Sequence, residues 1–367
     1  MPSAATPLKL PADRDPASPE SSAAPDLPDG DALWRRELAP YAQPSPWRTA
    51  LDLLTAPVAY LALWPVMVLA LDVSYWLTLA ISVLAAGFLL RTFIVFHDCT
   101  HGSLFRSRGA NRWVGRFTGL LVLHPFANWR HSHAVHHGSA GDLDRRGAGD
   151  VMTMTVAEFR AASPGQRRLY RAFRNPLVMF GLGPFWSLVI QPRIPPKGGN
   201  KALRNSVWLT NLAVAVTIGA VCLAIGWQEY LMIQIPMIFI AGSAGVWLFF
   251  VQHQFEDVYW ENTEDWSYAD AALRGSSHLK LPQPLQFFTG NIGLHHVHHL
   301  SSRVPNYNLQ AANDNVGAFA DVPVLTFWES MRCSRFKLID ERTGKLLTYK
   351  QARELDSAPE PTPSPAA

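Results

Sequence analysis

LLTAPVAYLALWPVMVLAL, residues 53–71, and VSYWLTLAISVLAAGFLL, residues 73–90, are apolar runs separated by a single residue, Asp72. Neither run contains a charged side chain, and each approaches the roughly 18–20 residues that a helix needs to cross a bilayer. The pattern returns at Ser206–Trp227 and Tyr230–Val251, joined by GWQEY. Links this short make each pair a helical hairpin. Pro57, Pro65 and Pro236 fall inside these runs, where lipid-embedded helices tolerate them as kinks.

The rest of the chain agrees with a membrane protein. Of 367 residues, 48% are hydrophobic and 17% charged, against about 25% charged in a typical soluble domain. Three scattered cysteines, Cys99, Cys222 and Cys333, give no disulfide framework and suit a reducing compartment. The net charge of +3 matters through its distribution. Neither hairpin link contains Lys or Arg, whereas the segment from Arg106 to Arg204 is strongly basic, with RSRGANRWVGR near its start and RIPPKGGNKALR at its end. The positive-inside rule places this segment and both tails in the cytoplasm.

The expected fold is therefore an all-α integral membrane protein, with four transmembrane helices in two hairpins and a cytosolic cap. The spans are expected at about residues 51–73, 74–95, 206–227 and 230–252 of a membrane domain covering 46–355, with the cap formed by 96–205 and 253–355. Residues 1–45 and 356–367, rich in Pro, Ala and Ser, read as disordered tails, and the first of them does not read as a secretory signal.

Two stretches, Trp113–Trp129 and Pro176–Ile190, are too short or interrupted to span and are expected at the membrane interface. Between them, Thr155 and Glu158 form a capping-box pattern. Arg167, Arg168, Arg171 and Arg174 follow beside Leu169, Tyr170 and Phe173, a mixture that suits a helix snorkelling at headgroup level and equally a solvated basic helix. Thr326 and Glu329 repeat the capping box, and FKLIDERTGKLLTY reads as a small hairpin turning near Thr343–Gly344.

The 13 histidines are not scattered. HDCTH places His97 and His101 four residues apart, on one helical face. HSHAVHH places His133, His136 and His137 at i, i+3 and i+4, and HHVHH repeats that spacing with His295, His298 and His299. The first pair lies just beyond the second apolar run, and His253 just beyond the fourth, so every cluster falls on the same side of the membrane. Imidazole suits Zn, Cu, Fe and Ni. Nine convergent rings exceed the needs of one tetrahedral zinc and suffice for two metals with open positions. His131 and His296 point off the ligand faces, and His124 and His278 are lone histidines. By residues alone, oxygen chemistry on an apolar substrate, a zinc-dependent membrane hydrolase and a non-enzymatic metal-binding protein all stay open, although no HExxH motif is present.

At these boxes the sequence resembles the membrane fatty acid desaturases, whose HxxxH, HxxHH and HxxHH boxes are distributed around two transmembrane hairpins. The flanks WRHSHAVHHGSAGDLDRRGAGDV and FFTGNIGLHHVHHLSSRVPNYNL are similar to bacterial and cyanobacterial delta-12 (omega-6) acyl-lipid desaturases, and the resemblance covers roughly Trp47 to Ser334. The resemblance implies a non-haem diiron centre held by His97, His101, His133, His136, His137, His295, His298 and His299, with His253 matching a further histidine after the last span. It implies O2-dependent removal of two hydrogens from adjacent carbons to leave a cis double bond, in a lipid-linked C18 chain at delta-12. Hydroxylases, ketolases and epoxygenases acting on lipids or carotenoids use similar boxes. The implied partners are a fatty acyl lipid, membrane lipid and a separate electron donor such as ferredoxin or cytochrome b5, and nucleic acid is not among them. The implied location is a bacterial inner membrane with the site facing the cytosol.

Carboxylates often orient metal-bound histidines. Asp98 and Asp144 are the first candidates, with Asn291 and His296 as further supporting groups, and Asp142, Asp150, Glu256 and Asp257 also lie near the boxes.

Overall fold

The computed structural model describes residues 29–147, 150–198 and 200–357. Its frame is four helices long and apolar enough to cross a membrane: Pro46–Val73, Tyr75–His101, Lys201–Ile225 and Trp227–His253. At 1.5 Å per residue such helices run to roughly 40 Å, beyond the ~30 Å hydrocarbon layer, so their ends project from it. This extends the second and fourth spans past the expected ends at residues 95 and 252, to His101 and His253. Hydropathy reports where apolar side chains stop, whereas the hydrogen-bonded backbone continues through polar ones.

The hairpin links are short for identifiable reasons. Ser74 is extended and accepts a hydrogen bond from Trp76 N, capping the second helix. Gly226 has φ of 96°, and a Cβ there would lie 2.0 Å from Glu229 Oε2. In the first helix, Pro57 sits within a π-helical turn, Leu54–Val58, which absorbs the missing N–H.

The spans are not equivalent. The most apolar stretch of the second is 56% buried, and that of the third only 6%. Ala85, Ala86 and Leu89 of the second pack with Ile233, Met237 and Ala241 of the fourth and Tyr60 and Met67 of the first. The third presents Trp208, Leu209, Leu212 and Leu223 outward, as a lipid-facing helix would.

The cap sits over the histidine end of this frame. The stretch Trp113–Trp129 is not one interfacial helix but parts of two, Arg108–Leu121 and Phe126–His137, broken at Leu123, whose φ is 60°. Residues 178–190 are largely π-helical and cross the fourth span at Gly242, where a Cβ would lie 2.8 Å from Pro184 Cβ. Both capping boxes form, at Thr155–Glu158 and Thr326–Glu329. Leu338–Ile339 pairs antiparallel with Leu346–Leu347 as the expected hairpin, and Met154–Thr155 adds a parallel strand. His278–Lys280 pairs in parallel with Val324–Thr326.

Two further expectations are corrected. Arg174 does not snorkel: it is fully buried and donates to Thr153 Oγ1 (3.0 Å), Gln254 Oε1 (2.9 Å) and the Phe336 carbonyl (3.0 Å), tying the fourth span's end to the cap. The stretch before residue 46 is not wholly irregular, because Asp29–Leu38 is helical and Leu38 is buried with Ile94 and Ile292. Residues 1–28 and 358–367 of the expected tails lie outside the described residues.

Candidate metal centre

The first box is the last turn of the second span. Gly102, with φ of 73°, ends that helix, leaving His97 and His101 on one face with ring centres 4.7 Å apart. The second box closes the helix Phe126–His137, where Trp129 stacks on His133 with centroids 4.3 Å apart. His253 ends the fourth span and donates Nδ1–H to the Gly275 carbonyl at 2.9 Å.

The third box is the short helix His295–Leu300, reached through a tight turn. Gly290 has φ of 52°, and a Cβ there would lie 2.8 Å from Ile94 Cγ2. At Gly293 a Cβ would lie 2.5 Å from the Leu279 carbonyl oxygen. Both glycines let this segment press against the second span and its neighbouring strand.

The rings converge as two groups. His97, His101, His133 and His298 present nitrogens that all lie within 4.8 Å of one another, as do those of His136, His253, His295 and His299. His137 lies between them: its Nε2 is 3.1 Å from His133 Nε2 and 3.0 Å from His298 Nε2, while its ring stacks on His299 at 4.2 Å. All nine histidines singled out in the sequence therefore meet at one place.

The donor set fits metal ions. His133 Nε2 faces both His97 Nε2, at 3.0 Å, and His137 Nε2. A neutral imidazole nitrogen carries one proton or one lone pair, so it cannot satisfy several such neighbours by hydrogen bonding. Separations of about 3 Å are those of ligands at right angles around an ion with bonds of ~2.1 Å. His101 Nε2, both nitrogens of His136 and His299 Nε2 are buried without a hydrogen-bond partner. Burial holds the rings of His133, His136, His137, His295, His298 and His299 well below the usual histidine range, which keeps their lone pairs free at neutral pH.

Asp98 stands behind the first group. His97 donates Nδ1–H to Asp98 Oδ1 at 3.2 Å, which turns Nε2 towards the other rings. Asp98 Oδ2 accepts from Asn306 N (2.8 Å) and Nδ2 (3.0 Å). Asn306 Nδ2 also donates to Asp52 Oδ2 at 2.6 Å, and Asp52 Oδ1 pairs with Arg91 Nη2 at 2.5 Å. Arg91 in turn donates to the Phe287 carbonyl. The chain thus runs from a ring in the cluster to a buried ion pair joining the first two spans.

Asp150 lines the cavity together with His133 and His295 and accepts from Gly147 N, and the other expected supporting groups are engaged elsewhere. Asp144 accepts from Thr263 N, and Asp142 from Thr263 Oγ1 and Arg145, so both organise a loop. Asn291 donates to the Asn306 carbonyl. His296 is buried but turned away, towards Asn313 Oδ1 at 2.9 Å, and burial pushes it down to about 3. Asp257 pairs with Lys345, and Glu256 lends its carbonyl to Leu346 N. Asn306, Asp52 and Arg91 escaped the sequence reading. The usable signal was a lone charge within or beside an apolar membrane run, which rarely occurs without a function.

A cavity of about 730 Å³ opens from His97, His133 and His295 and follows the fourth span to Gln234. Its walls include Leu89, Phe93, Ile238 and Trp186, so it is predominantly apolar. Such a cavity suits an alkyl chain lying with one stretch against the histidine cluster.

The family model for fatty acid desaturases matches residues 74–330. A fatty acid desaturase of Bacillus subtilis (strain 168) is 45% identical over 87% of this chain and 91% of its own length. An sn-1 oleoyl-lipid 12-desaturase of Synechocystis sp. is 29% identical over 66% of this chain and 69% of its own length. An sn-1 acyl-lipid omega-3 desaturase (ferredoxin) of Synechocystis sp. is 26% identical over 61% of this chain and 63% of its own.

Proposed function

The chain belongs to the fatty acid desaturase family, and we propose that it introduces a cis double bond into a lipid-linked C18 chain at delta-12, using two iron ions and O2. The observation that carries this reading is the placement of two four-histidine groups at the end of an apolar cavity. In the balanced reaction a –CH2–CH2– unit and O2, with two electrons and two protons, give –CH=CH– and two waters. Bound iron would supply the oxygen activation that unactivated C–H bonds require.

The chain's own residues do the rest. We assign His97, His101, His133 and His298 to one ion and His136, His253, His295 and His299 to the other, with His137 between them. Asp98 orients His97, and the Gly275 carbonyl orients His253. The mostly apolar cavity walls would take up the alkyl chain beside the rings.

The finer substrate assignment is supported by the names of the 12-desaturases from Synechocystis sp. and Anabaena variabilis, 29% and 27% identical. Ferredoxin is the donor class in the name of one relative, and the basic segment between the hairpins offers a surface complementary to an acidic donor. The same segment supports an orientation with the histidine end and both tails in the cytosol of a bacterial inner membrane. Fatty acid profiling of an expressing host tests the proposal. A new diunsaturated C18 acid is expected, whereas a hydroxylated acid or modified carotenoid would overturn it.

A further inference from the structure

We propose that the polar end of the cavity, formed by His124, Asn128, Ser132 and Gln191, binds the ester group that carries the acyl chain and a hydroxyl beside it, so that the enzyme takes neutral, hydroxyl-bearing glycerol esters in preference to free acids. The inference rests on the reading that the cavity holds the acyl substrate.

Ser132 and Asn128 lie one turn apart on the helix Phe126–His137, on the face that leads from His133 back towards His124. Gln191 joins them, because Arg193 donates to the Leu123 carbonyl and so holds the turn Gln191–Arg193 beside His124. The side chains of Asn128, Ser132 and Gln191 make no hydrogen bond among the described residues. Ser132 and Gln191 are also exposed, so the cavity reaches the surface there.

The turn before Asn128 is built to present His124. Leu123 has φ of 60°, a conformation that favours glycine. His124 N donates to the Gly119 carbonyl at 2.7 Å, and a Cβ at Gly119 would lie 2.7 Å from the His124 carbonyl oxygen. The outcome is that Leu123 and His124 both line the cavity. His124 donates Nδ1–H to the Val122 carbonyl at 2.7 Å, which leaves Nε2 as a lone pair without a partner. That lone pair accepts from a hydroxyl. The amides of Asn128 and Gln191 and the hydroxyl of Ser132 can donate to a carbonyl.

Charge decides which head fits. Among the described residues no Lys or Arg lines the cavity, and Arg193 directs its guanidinium at the Leu123 carbonyl instead. A carboxylate drawn in here would lose water without gaining a cation, whereas an ester loses far less. Length fits as well. Three bonds of a fully extended chain advance ~3.5 Å, so the eleven bonds from C12 to the ester carbon reach ~13 Å. From His97 the rings of Trp129, Phe93 and His124 follow in steps of 5.7, 5.6 and 5.8 Å, a bent path of that order.

The test is displacement of radiolabelled 1-oleoylglycerol from the full-length, metal-loaded enzyme without an electron donor. The competitors are unlabelled 1-oleoylglycerol, methyl oleate, oleic acid and cis-9-octadecene. The wild type should bind 1-oleoylglycerol roughly tenfold or more tighter than oleic acid. Methyl oleate, which keeps the ester and lacks the hydroxyls, should fall between them. Asn128→Leu should weaken both esters by roughly 3–10-fold and leave cis-9-octadecene, which has no head, unchanged. His124→Phe should erase the difference between 1-oleoylglycerol and methyl oleate. Metal content and monodispersity certify that each variant is folded. Equal affinity of the wild type for ester and acid, or variants that weaken every ligand alike, overturns this inference. Conversion of an oleoyl glycerolipid to a diene is scored separately. A wild type that ranks the ligands as expected and makes no diene overturns the proposed function alone.

Discussion

His97, in the first histidine group, leans on a carboxylate, whereas His253, in the second, leans on a backbone carbonyl. The carboxylate belongs to a chain of buried polar groups, Asp98, Asn306, Asp52 and Arg91, that fastens the cluster to the first two spans. The carbonyl belongs to Gly275, in a loop of the cap. Negative charge behind an imidazole raises its basicity and fixes its tautomer. The two groups should therefore hold their ions unequally, the first more tightly than the second.

The largest expected effect comes from removing a ring. His298→Ala takes one of four donors from the first group. Product formation should vanish, and the purified variant should retain metal in the second group only. Loss of both ions would mean that the groups are one site rather than two.

The ion pair comes next. Asp52→Leu leaves Arg91 buried without its carboxylate, and breaking such a pair costs about 3–5 kcal/mol. Thermal unfolding should show that loss, and Asp52→Leu combined with Arg91→Met should recover most of it. No recovery in the double variant would show that the pair does more than balance its own charges.

Asp98→Asn is the sharper probe of the comparison. Metal release to a chelator should be biphasic, and this substitution should speed the slower phase by roughly 10–100-fold while leaving the faster one alone. Equal acceleration of both phases would break the distinction between carboxylate-backed and carbonyl-backed groups.

The histidine positions were legible in the sequence because helical spacing alone brings i, i+3 and i+4 side chains onto one face. Asp98 was legible because it adjoins His97. The rest of its chain was not: Asn306 lies 254 residues from Asp52, and only the packing of spans joins them. Asp52 and Arg91 could have been flagged as solitary charges beside apolar runs, but their pairing could not. Helix ends were misjudged because hydropathy falls off before His97 and His253, although the backbone continues. The helix Asp29–Leu38 was hidden in a polar, proline-rich opening, and the packing of Leu38 and Trp34 against the cluster of Ile94 and Ile292 gives it a role.

The smallest expected effect concerns pH. His124 lies beside the first group, touching Phe93 and Phe96, and burial pushes its ring down to about 4. Its folded value is depressed below the unfolded one, near 6.5. The unfolded chain therefore binds the extra proton first, and stability falls as pH drops from about 6.5 towards 4. Thermal unfolding of His124→Asn should show a shallower decline over that window than the wild type. An unchanged slope would assign the acid sensitivity elsewhere.

The most direct test is the metal content of purified full-length protein, measured with the first group intact and after His298→Ala. Two irons per chain in the wild type and about half that in the variant would match two separate four-histidine groups. A single ion per wild-type chain, or zinc with no iron, would contradict the account.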